Sequence, residues 1–496
     1  MKLGPLLEDI DLGHDAAEND RVLDKAFVTT EAFRRLVRDD VDLVTGLKGT
    51  GKSALYRMLT EHSAQFPQLQ STTVLKAGSP MGSPVFLSLF NEQATELRLR
   101  SIWTAYFASL VANEVVDQHL GTPAVQRRVG EISEILRLLG LREADRRQKS
   151  LLQRILEAKS FEPTVTTDGA GLFTFGLKFD VADPSSDASQ VRLEFTDLLA
   201  LLKSCDEVLR SIGESIWVAV DRVDECFTRD SEVERRALRA LLRTMLDVAS
   251  ELGLDRHVGL KVFLRTDLLR RMSSDAAFTN STHLRTIELQ WNERDIEDIV
   301  GTRVLRSGSF CEVWPNARRA SRPASAAWKC LLPETFSSGD KASLHEICSW
   351  TADGHRGYNP RNVLTLLRLA LERRREDLRG AANDHEVDPG APLLDEPVLT
   401  SALGKLSRKR LTDTVLNEFP GLEYLVAALE RKPASYDSRD SLLSALGLAD
   451  QPRAMQDGAV DLLVLSGVLG QNGRQYVVPR LYRAALKSPL RPRPRR

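Results

Sequence analysis

At 496 residues, with 42% hydrophobic and 28% charged residues, the chain has the make-up of an ordinary globular protein and is too long for one core, so two or three domains are expected. A formal charge of -1 removes any global electrostatic case for binding nucleic acid or membrane. Five cysteines (Cys205, Cys226, Cys311, Cys330, Cys348) with no C-x-x-C pair argue against a zinc site and for a reducing, cytoplasmic setting; no signal-peptide pattern opens the chain, and no apolar run approaches the length of a membrane span.

Within residues 22–37, Thr29 or Thr30 would cap a helix that carries Phe33, Leu36 and Val37 on one face. Phe27 and Val28 just before it are candidates for contact with a base or for core packing. Val41-Asp42-Leu43-Val44 reads as a strand, and Gly46-Leu47-Lys48-Gly49-Thr50-Gly51-Lys52-Ser53 directly after it spells G-x-x-x-x-G-K-S, the phosphate-binding loop. The spelling follows from the chemistry. Gly46, Gly49 and Gly51 admit positive φ and let backbone N–H groups turn inward on a polyphosphate. Lys52 would reach the β- and γ-phosphates, Ser53 would offer its hydroxyl to Mg²⁺, and the helix starting near Lys52 adds its positive end. Thr50 and Ala54 complete the expected nucleotide-binding set, and Leu55, Met58 and Leu59 make the helix apolar on one side.

A second strand is expected at Thr73-Val74-Leu75-Lys76, then a Gly/Ser/Pro-rich loop at 78–84 and an apolar start at Phe86-Leu87-Ser88-Leu89-Phe90. Leu97 to Val116 has helical spacing with Trp103, Phe107 and Leu110 on one stripe. Residues 125–158 read as two further helices, with Arg146, Arg147 and Lys149 on a solvated face. Residues 161–183 alternate apolar and polar around Asp168-Gly169, which predicts an inserted hairpin closed by a loop at 183–189; a helix from Leu193 to Ile212 follows.

The second informative stretch is Ile216-Trp-Val-Ala-Val220, five apolar residues without interruption, then Asp221-Arg-Val-Asp224-Glu225. A fully buried parallel strand ending in a carboxylate suits a phosphate-loop protein: Asp221, expected beside the loop, would hold the Mg²⁺ shell, and Glu225 or Asp224 would orient or deprotonate water. Leu260 to Leu264 is a third core strand ending in Arg265, which would neutralise charge near a γ-phosphate or pair with one of those carboxylates. Thr286 to Leu289 reads as a fourth such strand, and Asn292 to Val304 as the helix opening the next domain.

Residues 307–326 read as an exposed loop. In His355-Arg-Gly-Tyr-Asn-Pro360-Arg361, Pro360 starts a helix, so Arg361 stands in its first turn, where a cation opposes the helix dipole unless an anion faces it; the alternative is a surface arginine. Residues 376–397 read as a linker. Helices at about 398–417, 420–431 and 439–447, then an Asn472-Gly473 hairpin within 468–478, make a winged helix, and Arg491 to Arg496 a basic tail.

On Gly46 to Ser53, the VAVDRVDE block at 218–225, the VFLRTD block at 262–267 and GYNPRNVLTLL at 357–367, the chain resembles the AAA+/STAND group of P-loop ATPases. Its order of parts resembles that of the origin-recognition initiators, and it is similar to bacterial P-loop ATPases found near defence genes. The resemblance implies an α/β fold: a parallel-sheet ATPase core (1–290, with an insertion at about 120–190), a helical lid (291–376), a linker (377–397), a winged helix (398–486) and a basic tail (487–496). It also implies Asp221 as the Walker B magnesium residue, Glu225 (or Asp224) as base, Arg265 as sensor and Arg361 as lid arginine. Two departures, Arg222-Val223 between the carboxylates and arginine at the sensor position, point to slow turnover. The implied function is an ATP- and Mg²⁺-dependent switch that forms homo-oligomers and acts on a protein effector in trans, in anti-phage defence. The alternatives are an initiator or loader whose winged helix reads duplex DNA, with Arg474, Arg480 and Arg483 as its basic groups, and a non-catalytic nucleotide-binding scaffold.

Overall fold

The computed structural model describes residues 1–77, 95–138, 141–142, 161–167, 173–179, 191–223, 232–273, 284–337, 341–379 and 385–487. It divides into two compact units: a sheet unit, Glu31–Leu47 with Leu55–Glu288, and a helical unit, Met1–Thr30 and Lys48–Ala54 with Leu289–Arg496. No helix among the described residues is long and apolar enough to cross a membrane.

The sheet unit is built on strands β1 (Leu43–Gly46), β2 (Thr72–Ala77), β6 (Ser215–Val220), β7 (Val258–Arg265) and β8 (Thr286–Glu288), with helix α1 (Lys52–Glu61) after β1. All pairings are parallel, in the order β2-β6-β7-β1-β8. The sequence dictates which strands are central: Ile216 to Val220 and Val258 to Leu264 are buried almost without exception, as strands covered on both faces must be. Helices α2 (Glu96–His119), α3 (Phe195–Ile212) and α4 (Glu232–Leu252) share one hydrophobic cluster with them. Trp103 and Phe107 of α2 stack at 5.7 Å between ring centres, and the Trp103 indole donates to the Ala237 carbonyl at 3.2 Å. α2 is buried on more than the single expected stripe; Ser101, Thr104 and Ser109 are inside as well.

The inserted hairpin is a three-stranded antiparallel sheet, with β3 (Phe161–Thr167) and β4 (Phe173–Phe179) joined by β5 (Val191–Glu194). Its Asp168-Gly169 turn lies outside the described residues, as do the loops at 78–84 and 183–189, the segment 86–90, Arg146, Arg147, Lys149 and the basic tail.

The helical unit has its own core, running from Leu3 to Leu486. Three expectations are corrected here. The N-terminal residues do not belong to the sheet: Leu3, Leu6, Leu7, Ile10 and Leu12 are buried in the helical core, where Arg303 meets Asp20 at 2.8 Å. Residues 307–326 are not an exposed loop but short helices, Gly308–Val313, Pro315–Arg319 and the start of Pro323–Leu331, with Phe310, Trp314 and Ala317 buried. Ser307 caps the first, and both prolines occupy first-turn positions, where a missing N–H costs nothing. The stretch read as a linker is anchored at both ends: helix α5 (Pro360–Arg379) runs into it, and near its end Leu393 and Leu394 are buried.

The C-terminal part is a winged helix: α6 (Glu423–Leu429), β9 (Ser435–Tyr436), α7 (Arg439–Ala445), α8 (Arg453–Leu465), then hairpin β10 (Gly470–Asn472) and β11 (Gln475–Val477), with β11 paired to β9, and α9 (Arg480–Lys487). Asn472 pairs with Gln475, so the turn is Gly473-Arg474, one residue later than expected, with Gly473 at φ 59° supplying the positive φ at its first position.

At the amino-terminal edge of the sheet a charged knot ties β1, β7 and β8. The Asp42 carboxylate accepts from Arg285 at 2.7 and 2.8 Å and from Arg256 at 2.7 Å, and lies 3.4 Å from Lys261. Lys261, fully buried, also pairs with Asp39, donates to the Val41 carbonyl at 2.6 Å and sits 4.5 Å from the Trp217 ring. Burial alone would raise the Asp42 carboxyl, but the Arg285 hydrogen bonds and the charges of Lys261 and Arg256 outweigh it and hold the group at about 2. Asp42→Asn removes the charge that Arg256, Lys261 and Arg285 share and leaves Asp39 against the last two, and denaturant unfolding is expected to show a loss of about 3 to 5 kcal/mol. Because the folded-state value is depressed, this contribution is present above the ordinary value of 3.8 and disappears as pH falls towards about 2, so the gap between wild type and variant should close over that interval.

Candidate functional site

Sheet order decides where a ligand can sit. β1 and β7 are neighbours in register, Gly46 opposite Arg265, yet the chain leaves β1 for β2 at one edge and leaves β7 for β8 on the other side of β1. Adjacent parallel strands whose connections depart in opposite directions leave a crevice at their carboxyl ends, the place where open α/β sheets bind ligands. Gly46, first residue of the G-x-x-x-x-G-K-S loop, stands at that point.

Asp221 directly follows β6 and is buried at 8% exposure. In the sheet β7 lies between β6 and β1, so the strand next to the loop strand is the one that carries Arg265. Around Asp221 the backbone is held in an uncommon form, with Arg222 at φ 58°. Tyr56 of α1 feels the carboxylate: burial first, and the Asp221 charge second, push its hydroxyl up to about 12. Arg265 makes a two-toothed pair with Asp267, Nε to Oδ1 at 3.0 Å and a terminal nitrogen to Oδ2 at 2.9 Å. Beside it the Thr266 hydroxyl donates to Glu288 at 3.0 Å. Asp224 and Glu225 lie outside the described residues.

In the helical unit, the stretch Lys48–Ala54 carries positive φ at Gly49 (84°) and Gly51 (96°), a conformation that turns neighbouring N–H groups to one side. Thr50 is buried, and Lys52, Ser53 and Ala54 open α1 with partly exposed side chains. Two residues that sequence reasoning passed over hold this loop. Asn359 donates from Nδ2 to the Lys48 carbonyl at 3.0 Å, and the Trp291 indole donates to the Thr50 carbonyl at 2.7 Å. Lys48 forms an ion pair with Glu418. For Asn359 the available signal was its place before Pro360, a helix-cap signature; Trp291 carried none. Arg361 stands in the first turn of α5 and donates from Nε to the Asp15 carbonyl at 2.9 Å. Phe27 and Val28 are partly buried.

No family model matches the chain. A curated protein, the putative transposon gamma-delta 80.3 kDa protein of Escherichia coli (strain K12), is 22% identical over 294 residues, covering 56% of this chain and 37% of its own length. The chain thus spans little more than a third of that relative. Among solved structures it is similar to the Walker-type ATPase PABY2304 of Pyrococcus abyssi, with TM-score 0.42, 11% identity and coverage of 97% of this chain and 100% of that one. It is also similar to the Aeropyrum pernix ORC2 protein, solved in ADPNP-ADP complexes (TM-score 0.36, 12% identity, 94% and 96% covered), and to the Aeropyrum pernix ORC1 protein, solved in complex with DNA (TM-score 0.33, 13% identity, 94% and 95% covered). All three likenesses are remote.

The loop's glycines are required twice over at one position. A Cβ on Gly49 would need a left-handed φ and would lie 2.9 Å from both Nδ2 and Oδ1 of Asn359. Gly49→Ala is expected to lower unfolding free energy by about 1 to 3 kcal/mol in ligand-free protein. Gly404→Ala, inside the helix Glu396–Lys409 with open space at its Cβ, should raise it by about 0.5 to 1 kcal/mol, and denaturant melts of the two variants check the pair.

Proposed function

We propose that the chain is a P-loop ATPase that works as a nucleotide-dependent switch. The observation that carries this is the loop itself: G-x-x-x-x-G-K-S begins at the switch point of a parallel sheet and has positive φ at Gly49 and Gly51, the conformation that turns N–H groups onto phosphate oxygens. In this reading the N–H groups of Gly49, Thr50, Gly51, Lys52 and Ser53 cradle the phosphates, Ala54 closes the loop by donating its N–H to the Gly51 carbonyl at 3.0 Å, and Lys52 neutralises the phosphate charge. The Ser53 hydroxyl and the Asp221 carboxylate are hard oxygen donors of the kind Mg²⁺ takes, and the ion, when bound, offsets charge on the phosphates. Glu225, or Asp224 beside it, holds and deprotonates the attacking water. Arg265, on the strand next to the loop strand, supplies positive charge at the carboxyl edge, with Asp267 fixing its direction. Arg361 serves as the lid arginine.

What the switch drives is a change of assembly state or of grip on a protein partner, with anti-phage defence as the setting. A duplex-reading role for the winged helix has its fold behind it but little of its surface. The outward side of α8 carries Asp457 and Asp461, and Asp457 pairs with Arg439. Arg480 lies over the Trp350 ring at 4.0 Å and Arg483 donates to the Val478 carbonyl at 3.0 Å, which leaves Arg474 at the wing as the basic group of the three not engaged in packing contacts of this kind.

The test is nucleotide binding and turnover. Wild type should bind ATP with Mg²⁺ and release phosphate slowly; Lys52→Ala should weaken binding by about 10- to 100-fold; and Glu225→Gln should keep binding but lose turnover, in titrations with fluorescent ATP and a phosphate-release assay. Mass photometry with ATP and a short DNA duplex separates the two roles. Assembly on ATP alone supports the switch, and a complex that needs duplex replaces it with the DNA-reading role.

A further inference from the structure

In a trans peptide the C=O and N–H point in opposite directions. A loop that aims N–H groups at an anion must therefore aim the partnered carbonyls away from it, and a carbonyl removed from water needs a donor. The Lys48 carbonyl belongs to the same peptide as the Gly49 N–H, and the Thr50 carbonyl to the same peptide as the Gly51 N–H. Those two carbonyls are the ones that Asn359 and Trp291 hold, at 3.0 and 2.7 Å.

Both donors are themselves fixed. Asn359 is 3% exposed; its Oδ1 accepts from the Asn362 N–H at 3.3 Å and its carbonyl from the Val363 N–H at 3.2 Å, so the same side chain caps α5 with its oxygen and holds the loop with its nitrogen. Trp291 packs against the helical core, and a Cβ on Gly51 would be 3.4 Å from its ring. The tightness at Gly49 and Gly51 is thus the closeness of these two side chains.

We infer that Asn359 and Trp291 are positioning residues for polyphosphate binding: by holding the Lys48 and Thr50 carbonyls they keep the Gly49 and Gly51 N–H groups turned onto the phosphates. This rests on the reading of the loop as a nucleotide site, and extends it to two residues far away in sequence that need not touch the nucleotide.

Asn359→Asp preserves volume and the helix cap, since aspartate and asparagine cap equally well, but replaces the donor with a carboxylate facing a carbonyl. Trp291→Phe removes the indole N–H and keeps most of the ring. Dissociation constants for ATP and for inorganic triphosphate, each with Mg²⁺, are measured on the full chain by displacement of a fluorescent ATP, beside thermal unfolding without ligand. Affinity should fall about tenfold in Asn359→Asp and about three- to fivefold in Trp291→Phe, by the same factor for both ligands, with the melting temperature lowered but each variant folded at the titration temperature. Wild-type affinity in both variants overturns the inference, as does a loss confined to ATP, which would mean contact with base or ribose. If Asn359→Asp does not fold, Trp291→Phe decides alone. Wild type that binds neither ligand defeats the nucleotide-site reading, and the positioning role with it.

Discussion

The opposed directions of C=O and N–H in a peptide are the constraint on which this architecture turns. A phosphate loop cannot be completed by its own eight residues, because turning N–H groups inward turns carbonyls outward, and those carbonyls must be met. Here the donors come from residues 291 and 359, some 240 and 310 positions along the chain from the carbonyls they meet. That is why Lys48–Ala54, which sits in sequence between two parts of the sheet unit, clusters with the helical unit. The N-terminal segment is drawn into the same unit by the same kind of contact: Leu3 N–H donates to the His385 carbonyl and Val387 N–H to the Met1 carbonyl, both at 3.0 Å.

Within the sheet unit, polarity divides by strand end. Asp42 and Asp221 are both buried carboxylates at the margin of apolar strands, and composition does not distinguish them. Direction does. Asp42 precedes β1, at the amino-terminal edge, and is enclosed by Arg256, Lys261 and Arg285; its charge is spent on holding three strand starts together. Asp221 follows β6, at the carboxyl edge, beside a backbone held at positive φ. The first arrangement is a structural ion cluster, and the second puts a carboxylate at the carboxyl end of a parallel strand, the edge at which open α/β sheets bind ligands.

Much of the fold was legible because its signals are local. Ile216 to Val220 and Leu260 to Leu264 are uninterrupted apolar runs, and a parallel strand buried on both faces has no other way to be written. The loop was legible because its glycines, lysine and serine each answer a separate chemical need. Strand order was not, since nothing in β6 or β7 states which of them lies beside β1; the structure puts β7, which carries Arg265, in that place. Pro315 and Pro323 were misread because proline in the first turn of a helix looks, one residue at a time, like proline in a loop. Leu393 and Leu394 were hidden by polar neighbours. Asn359 lies in the 357–367 motif, but its local role as a cap fully accounts for it until the chain folds back and Lys48 is found on its other side.

The same segment that holds the loop is also fastened to the winged helix. Five residues before Asn359, the Gly354 N–H donates to the Gly467 carbonyl at 2.8 Å, and the His355 ring lies 3.2 Å from the Leu465 carbonyl, at the turn between α8 and the wing. Between those contacts and Asn359 the backbone passes through Arg356 at φ 60°. A short stretch with an uncommon backbone, anchored at one end to the base of the wing and at the other to a phosphate-loop carbonyl, leaves little slack in between. Rotation of the Lys48–Gly49 peptide would have to be absorbed by the Asn359 side chain, by the start of α5 or by the wing's base, and the first two are tied by the cap. The winged helix is therefore joined to the loop by packing and hydrogen bonds rather than by a flexible tether. The Lys48–Glu418 pair, just before α6, makes the connection a second time.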